Sequence, residues 1–155
     1  MSCWRSTVDE PVIVVTRRWP APVEDELTRR FSQVRLNADD VALGSDGLRA
    51  ALKHADVVLP TVSDRLPAAL FEGELRTKFL GNFGVGYNHI DTAAAAKAGI
   101  VVTNTPRVLT DTTADTAITL LLMAARRAGE GEREVRAGRW TGWRPTHMMG
   151  ADVTG

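Results

Sequence analysis

The chain has 155 residues, and its 19 basic and 19 acidic side chains leave a formal net charge of zero at pH 7. This balance gives no long-range field to attract nucleic acid or an anionic membrane, and no apolar run is long enough to span a bilayer. The length suits one domain with a sizeable core. Because Cys3 is the only cysteine and no apolar signal segment is apparent, we expect a cytoplasmic protein without disulfides.

Short β-rich runs alternate with helical patterns over the first hundred residues. The predicted strands are 12–16, 34–36, 57–60, 78–80 and 100–103, and the predicted helices between them are 24–31, 46–54, 68–71 and 92–98. Gly99 is expected to end the last of these helices. The alternation predicts an α/β fold, with a doubly wound parallel sheet and helices on both faces.

A glycine loop, Gly84-Val85-Gly86-Tyr87-Asn88-His89-Ile90-Asp91, joins the fourth strand to the next helix. We expect Gly81, Gly84 and Gly86 to adopt positive φ and bring the backbone close to a ligand, and the helix to offer unpaired N–H groups. Such amides bind an α-carboxylate, although a simple strand-to-helix turn explains the same glycines. The loop is not a dinucleotide fingerprint, because His89 stands where G-x-G-x-x-G requires its third glycine.

Two other loops, residues 61–64 and 104–106, leave the carboxyl ends of predicted strands. Ligands bind at such ends in open parallel sheets, so the meeting of these loops with the glycine loop favours a binding edge. Pro106 also explains 104–106 as a stiff turn. Of the three histidines only His89 lies at this edge, and none has the spacing to a carboxylate or cysteine that indicates a catalytic pair or a metal site.

A longer helix is predicted to open within residues 109–115 and to run to about Arg127, with Thr110 or Asp111 as its cap. Apolar residues recur along it at helical spacing, so another surface must cover this face. We interpret Asp111 and Asp115 as complements of the helix amino terminus rather than as a catalytic carboxylate pair.

The chain then changes character, with a charged segment at 130–139 followed by an aromatic arm, Trp140-Thr141-Gly142-Trp143-Arg144-Pro145. Interleaved arginine and tryptophan side chains stack on nucleic acid in some proteins, but the neighbouring glutamates cancel the charge that such a groove requires. The segment is therefore interpreted as a solvated helix followed by an arm that packs on a partner.

Three segments in order, residues 84–91, 100–106 and 108–115, resemble the D-isomer-specific 2-hydroxyacid dehydrogenases. The aromatic arm further resembles the glyoxylate and hydroxypyruvate reductase branch of that family. The resemblance runs from Pro11 to Gly155. It implies a flavodoxin-like substrate domain, a linking helix and the dimerisation arm of a separate Rossmann domain.

The resemblance also implies boundaries for these parts. A flexible start at 1–10 would precede the substrate domain at 11–106, a linking helix would occupy 107–128, and the truncated start of the NAD(P)-binding domain would occupy 129–155. The family's catalytic arginine, glutamate and histidine and its Rossmann glycine motif are expected beyond Gly155. We therefore expect no catalytic residue in this chain and no activity from it alone.

Site residues follow from the same resemblance. The amides of Val85 and Gly86, with Gly84 beside them, would bind the substrate carboxylate, and Thr113 would lie near the nicotinamide end of the cofactor. Trp140 and Trp143 would pack against a second subunit of a homodimer.

The implied reaction is hydride transfer between NAD or NADP and a small 2-oxoacid such as glyoxylate or hydroxypyruvate, by an oxidoreductase acting on CH–OH groups. No metal is expected, and the sequence selects neither the cofactor nor the 2-oxoacid. A non-catalytic module that binds a small acid or mediates dimerisation remains the alternative. A phosphoacceptor receiver domain is disfavoured, because Thr16-Arg17-Arg18 stands where its acidic cluster belongs.

Overall fold

The structure is a computed structural model that describes residues 10–153. Cys3 and, except for Glu10, the predicted flexible start at 1–10 lie outside the described residues. The chain divides into two compact units, which comprise residues 10–106 and 107–153 of the described part. The length alone favoured one domain, and the second unit consists of two helices and the segment that follows them.

The first unit is a five-stranded sheet with connecting helices. Its strands are β1 (Ile13–Val15), β2 (Val34–Arg35), β3 (Val57–Leu59), β4 (Phe79–Gly81) and β5 (Val101–Thr103). The helices are α1 (Ala21–Arg30), α2 (Gly44–His54), a 3-10 helix (Ala68–Phe71) and α3 (Thr92–Lys97). All neighbouring strands are parallel, in the order β2-β1-β3-β4-β5, which confirms the predicted parallel α/β sheet.

Helices cover both faces of the sheet, as predicted. On one face, α1 contributes Leu27 to a cluster around Ile13 and Val15. The opposite face carries the larger cluster, in which α2, the 3-10 helix and α3 bury apolar side chains against β3 and β4; its members include Leu48, Leu52, Val58, Leu70, Leu80 and Ala95. Burial of each large aliphatic side chain contributes about 1.5–3 kcal/mol, so this second cluster supplies most of the core.

Several element boundaries differ from the predictions. Helix α1 begins at Ala21 instead of Glu24, because proline is tolerated in the first turn of a helix and Pro22 occupies that position. The segment Ala68–Phe71 is a 3-10 helix. Gly99 has a φ of +73° and follows the end of α3, as its predicted role as a helix stop requires.

The second unit contains α4 (Thr110–Ala125) and α5 (Ala128–Arg136). The prediction that Thr110 or Asp111 caps α4 is wrong, because both lie inside the helix and Leu109 occupies the N-cap position without a side-chain acceptor. Helix α4 also stops at Ala125, short of Arg127, which has a φ of +53° and is the N-cap of α5. Among residues 10–153, no helix is long and apolar enough to cross a membrane.

Candidate functional site

Three loops meet at the carboxyl edge of the sheet in the first unit. The N–H of Phe83 donates to the Pro60 oxygen (2.8 Å), which joins the glycine loop to the segment after β3. The N–H of Thr105 donates to the Gly84 oxygen (3.0 Å), which joins the glycine loop to the segment after β5. The loops that the sequence placed at one edge are therefore held together by backbone hydrogen bonds.

The carbonyl oxygens of the glycine loop are engaged by side-chain amides. Asn82 Nδ2 donates to the oxygens of Gly84 (3.2 Å) and Gly86 (3.0 Å), and Asn104 Nδ2 donates to that of Val85 (2.8 Å). By contrast, the N–H groups of Val85 and Gly86 donate to no atom of residues 10–153. The loop therefore offers free donors beside occupied acceptors, which is the chemistry that an anion requires.

Close packing against a neighbouring loop explains Gly84, and neither glycine of the loop has an unusual backbone conformation. The expectation of positive φ at Gly81, Gly84 and Gly86 is wrong, since the described glycines with positive φ are Gly44, Gly73, Gly99, Gly138 and Gly142. A Cβ on Gly84 would lie 2.6 Å from Val62 Cγ1, so the neighbouring loop excludes a side chain there. A Cβ on Gly86 would meet no atom within 4 Å, so open space borders that residue.

Helix α3 adds less to the site than its sequence suggested. It has six residues, and the carboxylate of Asp91 accepts from the N–H of Ala94 (2.9 Å). One amide that the helix was expected to offer is therefore already paired. The candidate anion site therefore consists of the loop amides alone.

A buried polar cluster supports the edge from β1 and β3. Asp64 is 3% exposed and accepts from Thr16 Oγ1 (2.5 Å) and from the N–H of Thr61 (2.8 Å). Arg17, which follows Thr16 in the sequence, forms an ion pair with Asp40 (2.8 Å). The hydrogen bond from Arg17 and the backbone N–H of Arg18 hold the pKa of the Asp40 carboxyl below its ordinary value.

His89 and Asn82 form the second polar contact under the loop. Nε2 of His89 lies 3.0 Å from Oδ1 of Asn82. Burial lowers the pKa of His89, with the charge of Asp64 opposing the shift in part. The sequence analysis missed Asn82, for which the available signal was a polar residue directly between a buried strand and a glycine loop.

The other predicted residues lie in the second unit. Thr113 is an exposed residue of α4 whose N–H donates to the Leu109 oxygen (2.9 Å). Trp140 and Trp143 of the aromatic arm are 56% and 83% exposed. The structure thus places Gly84, Val85 and Gly86 in one unit and the residues predicted to face cofactor and partner in the other. Residues 10–153 contain no cluster of three or more His, Cys, Asp or Glu side chains suited to a metal ion.

Two open clefts of the first unit differ in their position relative to the glycine loop. A cleft of about 440 Å³ borders it and is lined in part by Tyr87, Thr103 and Asn104. A larger cleft of about 750 Å³ is lined mainly by charged side chains, including Arg49, Lys53 and Glu72, and shares no residue with the loop. Position beside unpaired amides, and not cleft size, therefore identifies the candidate site.

Comparisons with known proteins identify similar sequences and structures. Residues 13–148 match the sequence model described as D-isomer specific 2-hydroxyacid dehydrogenase, catalytic domain. A glyoxylate reductase of Korarchaeum cryptofilum is 37% identical over 147 residues, which are 94% of this chain and 44% of that protein. The chain thus spans less than half the length of the curated relatives it matches.

Solved structures give the same picture. A Polaromonas sp. JS6 66 protein assigned to the NAD-binding D-isomer specific 2-hydroxyacid dehydrogenases has a TM-score of 0.84 at 36% identity, covering 94% of this chain and 46% of that one. An NADPH-dependent glyoxylate/hydroxypyruvate reductase of Sinorhizobium meliloti, in complex with NADP and malonate, has a TM-score of 0.69 at 33% identity. It is matched over 85% of this chain and 40% of its own length.

Proposed function

We propose a function from one premise: this chain belongs to the D-isomer specific 2-hydroxyacid dehydrogenases. Residues 11–106 are proposed to form the substrate-binding domain of an NAD(P)-dependent reductase of small 2-oxoacids, of the glyoxylate and hydroxypyruvate kind. Residues 107–128 are proposed as the linking helix, and 129–155 as the start of the cofactor domain. The names of the relatives support this substrate class.

The proposal depends on the unpaired amides of Val85 and Gly86. Their carbonyl neighbours are occupied by Asn82 and Asn104, so an α-carboxylate beside the loop meets donors. Each charge-assisted bond contributes roughly 1.5–3 kcal/mol net. Two such bonds correspond to a dissociation constant of about 1 mM or weaker once the cost of association is included. The loop is thus suited to orient a small acid while other groups complete its binding.

The chain's own residues do not fit a dinucleotide. Its sequence contains no G-x-G-x-x-G, and in the glycine loop the position of the third glycine holds His89, which contacts Asn82. The chain alone is therefore proposed to bind substrate without transferring hydride. Thr113 keeps its proposed place near the nicotinamide in a protein that includes the cofactor domain, on the strength of the resemblance alone.

Self-association is proposed as the second property of the chain. Trp140 and Trp143 are exposed, and so are Ile118, Leu121 and Met123 of α4. An apolar surface of this kind is typical of an interface, and homodimer formation through the aromatic arm would cover it. A non-catalytic small-acid-binding or dimerisation module would share both properties, and activity separates it from a reductase only when a cofactor domain is present.

Calorimetric titration tests the carboxylate site. Glyoxylate is titrated against the chain, and glyoxylamide, which has no carboxylate, serves as the matched neutral control. NADH absorbance is followed in parallel samples. We expect weak glyoxylate binding, at least about tenfold weaker binding of the amide because the charge-assisted bonds are lost, and no NADH oxidation. Equal binding of both compounds would refute the carboxylate site, and turnover would refute the proposed inactivity.

A further inference from the structure

Asn82 is placed to control the orientation of the glycine loop. It directly follows β4 and is 2% exposed, and its own N–H donates to the oxygen of Thr103 (2.9 Å), which holds Asn82 beside the end of β5. One end of its side-chain amide lies 3.2 Å from the Gly84 oxygen and 3.0 Å from the Gly86 oxygen. Carbonyl oxygens only accept hydrogen bonds, so this end must be the NH₂ group.

His89 holds the other end of that amide. Its Nε2 lies 3.0 Å from Asn82 Oδ1, and because an amide oxygen only accepts, Nε2 must carry the proton. The lowered pKa of His89 keeps the imidazole neutral at pH 7, so its single N–H is the one on Nε2. The backbone of His89 is anchored in turn, since its oxygen accepts from the N–H of Leu66 (2.8 Å). A flipped Asn82 amide would therefore lose contacts at both of its ends.

The planar peptide bond carries this constraint to the ligand side. In a trans peptide unit the carbonyl oxygen and the following N–H point in opposite directions. Holding the Gly84 oxygen against Asn82 and the N–H of Thr105 therefore turns the Val85 N–H away from them. The hydrogen bond from Asn104 to the Val85 oxygen likewise turns the Gly86 N–H away from Asn104.

We infer that Asn82, locked in one amide orientation by His89, is a positioning residue that presents the loop amides to an anionic ligand. This inference depends on the proposed carboxylate site for its consequence in binding. The side chain of Asn82 contacts the oxygens of Gly84 and Gly86, and its proposed effect on an anion is exerted through the orientation of the loop amides. The Gly86 oxygen has Asn82 as its only donor among residues 10–153, which makes the loop sensitive to loss of this side chain.

The ligand-free chain provides the first test. Nitrogen-15 NMR of the His89 ring distinguishes a protonated Nε2 from a protonated Nδ1, and we expect the Nε2–H form at pH 7. The Asn82 side-chain NH₂ is expected to exchange slowly with solvent. An Nδ1–H ring would overturn the inference, because Nε2 would then have no proton to donate to Asn82. This readout does not require any ligand to bind.

Variants provide the second test. Asn82→Leu keeps the approximate shape of the side chain without its hydrogen-bond donors. His89→Leu removes the hydrogen bond that orients the Asn82 amide, whereas His89→Gln retains a side-chain N–H donor and serves as the rescue control. We expect both leucine variants to lower the ratio of glyoxylate to glyoxylamide affinity by about tenfold. The glutamine variant is expected to restore most of that ratio. General loss of structure would weaken both ligands alike and leave the ratio unchanged.

The two tests separate the failure of this inference from failure of the proposed function. If the parent chain binds no glyoxylate and its His89 is the Nε2–H form, the proposed carboxylate site is refuted, while the hydrogen bond by which His89 orients the Asn82 amide is supported. If the parent binds glyoxylate selectively and folded Asn82→Leu keeps the same ratio, the positioning role is refuted. Should Asn82→Leu not fold, the pair His89→Leu and His89→Gln decides by the same criterion.

Discussion

The two compact units of this chain differ in where their apolar side chains lie. In the first unit Leu52, Val58 and Leu80 are fully buried between sheet and helices. In the second unit no residue of α4 or α5 is buried, and Leu121 is 58% exposed. The first unit therefore has a core of its own, while the second presents apolar surface typical of a segment that packs against another surface. This contrast fits a binding domain joined to a segment that functions in an assembly.

The largest expected effect is a difference in the free energy of unfolding between matched leucine substitutions in the two units. Leu52→Ala removes a side chain with no exposed surface and is expected to cost about 2–5 kcal/mol in the free energy of unfolding. Leu121→Ala removes the same atoms from an exposed position and is expected to change it by less than about 0.5 kcal/mol in the monomer. Urea denaturation followed by circular dichroism measures both. Equal losses would show that α4 is buried in solution and would remove the contrast.

The next effect concerns association through the aromatic arm. Trp143→Ala is expected to weaken self-association by about tenfold or more, because large exposed aromatics are the residues on which interfaces most often depend. Sedimentation equilibrium over a range of protein concentrations measures it. Val41→Ala, which removes an exposed apolar side chain from the first unit, is the matched control. A parent chain that stays monomeric at all concentrations would contradict the proposed interface.

A third comparison lies within the first unit, between two glycines. Gly99→Ala places a Cβ where φ is +73° and is expected to cost about 1 kcal/mol of stability. Gly86→Ala enters open space at ordinary φ, so its stability should change by less than about 0.5 kcal/mol. The Gly86 substitution is instead expected to weaken glyoxylate binding by filling space beside the amides. Thermal unfolding and calorimetry report the two effects, and a large loss of stability in Gly86→Ala would count against the open loop.

The smallest expected effect is a pH dependence at the opposite edge of the sheet. Hydrogen bonds from Arg76, and then from the N–H of Val12, lower the pKa of Asp56. A carboxylate with a lowered folded pKa stabilises the fold above its unfolded pKa of about 3.9 and loses that contribution as the pH falls through the folded value.

Asp56→Asn is therefore expected to be less stable than the parent by under about 1 kcal/mol at pH 7, with the gap closing as the pH falls below about 4. Asp39→Asn removes an exposed carboxylate that forms no hydrogen bond with residues 10–153 and serves as the control. Denaturation curves at several pH values measure the gap, and a gap that widens towards acid would reverse the predicted sign.

Sequence patterns predicted the sheet well, because β-branched runs such as 12–16 and 100–103 indicate strands whatever their partners. They also located the glycine loop. They did not predict the physical reason for glycine in this loop. The sequence suggested positive φ, whereas at Gly84 a side chain is excluded by Val62, a residue more than twenty positions away. Contacts between distant loops leave no local periodicity in a sequence.

The buried polar residues beneath the loop could not be predicted from the sequence for the same reason. Asp64 and Asn82 look like ordinary loop residues until folding buries them beside Thr16 and His89. The prediction of the cap of α4 was wrong for a different reason. Thr110 and Asp111 are good capping residues by type, but the helix already begins at Thr110, with Leu109 at its N-cap. Residue type predicts what a side chain can do, and the tertiary fold decides whether it is in place to do it.

The most direct test of the central claim is the response of the loop amides to glyoxylate in proton–nitrogen NMR spectra. The account predicts that the Val85 and Gly86 N–H signals shift most, that glyoxylamide shifts them far less, and that the signals of α4 stay in place. Shifts that cluster elsewhere, for instance at Arg49 and Lys53 in the larger charged cleft, with the loop amides unmoved, would contradict it.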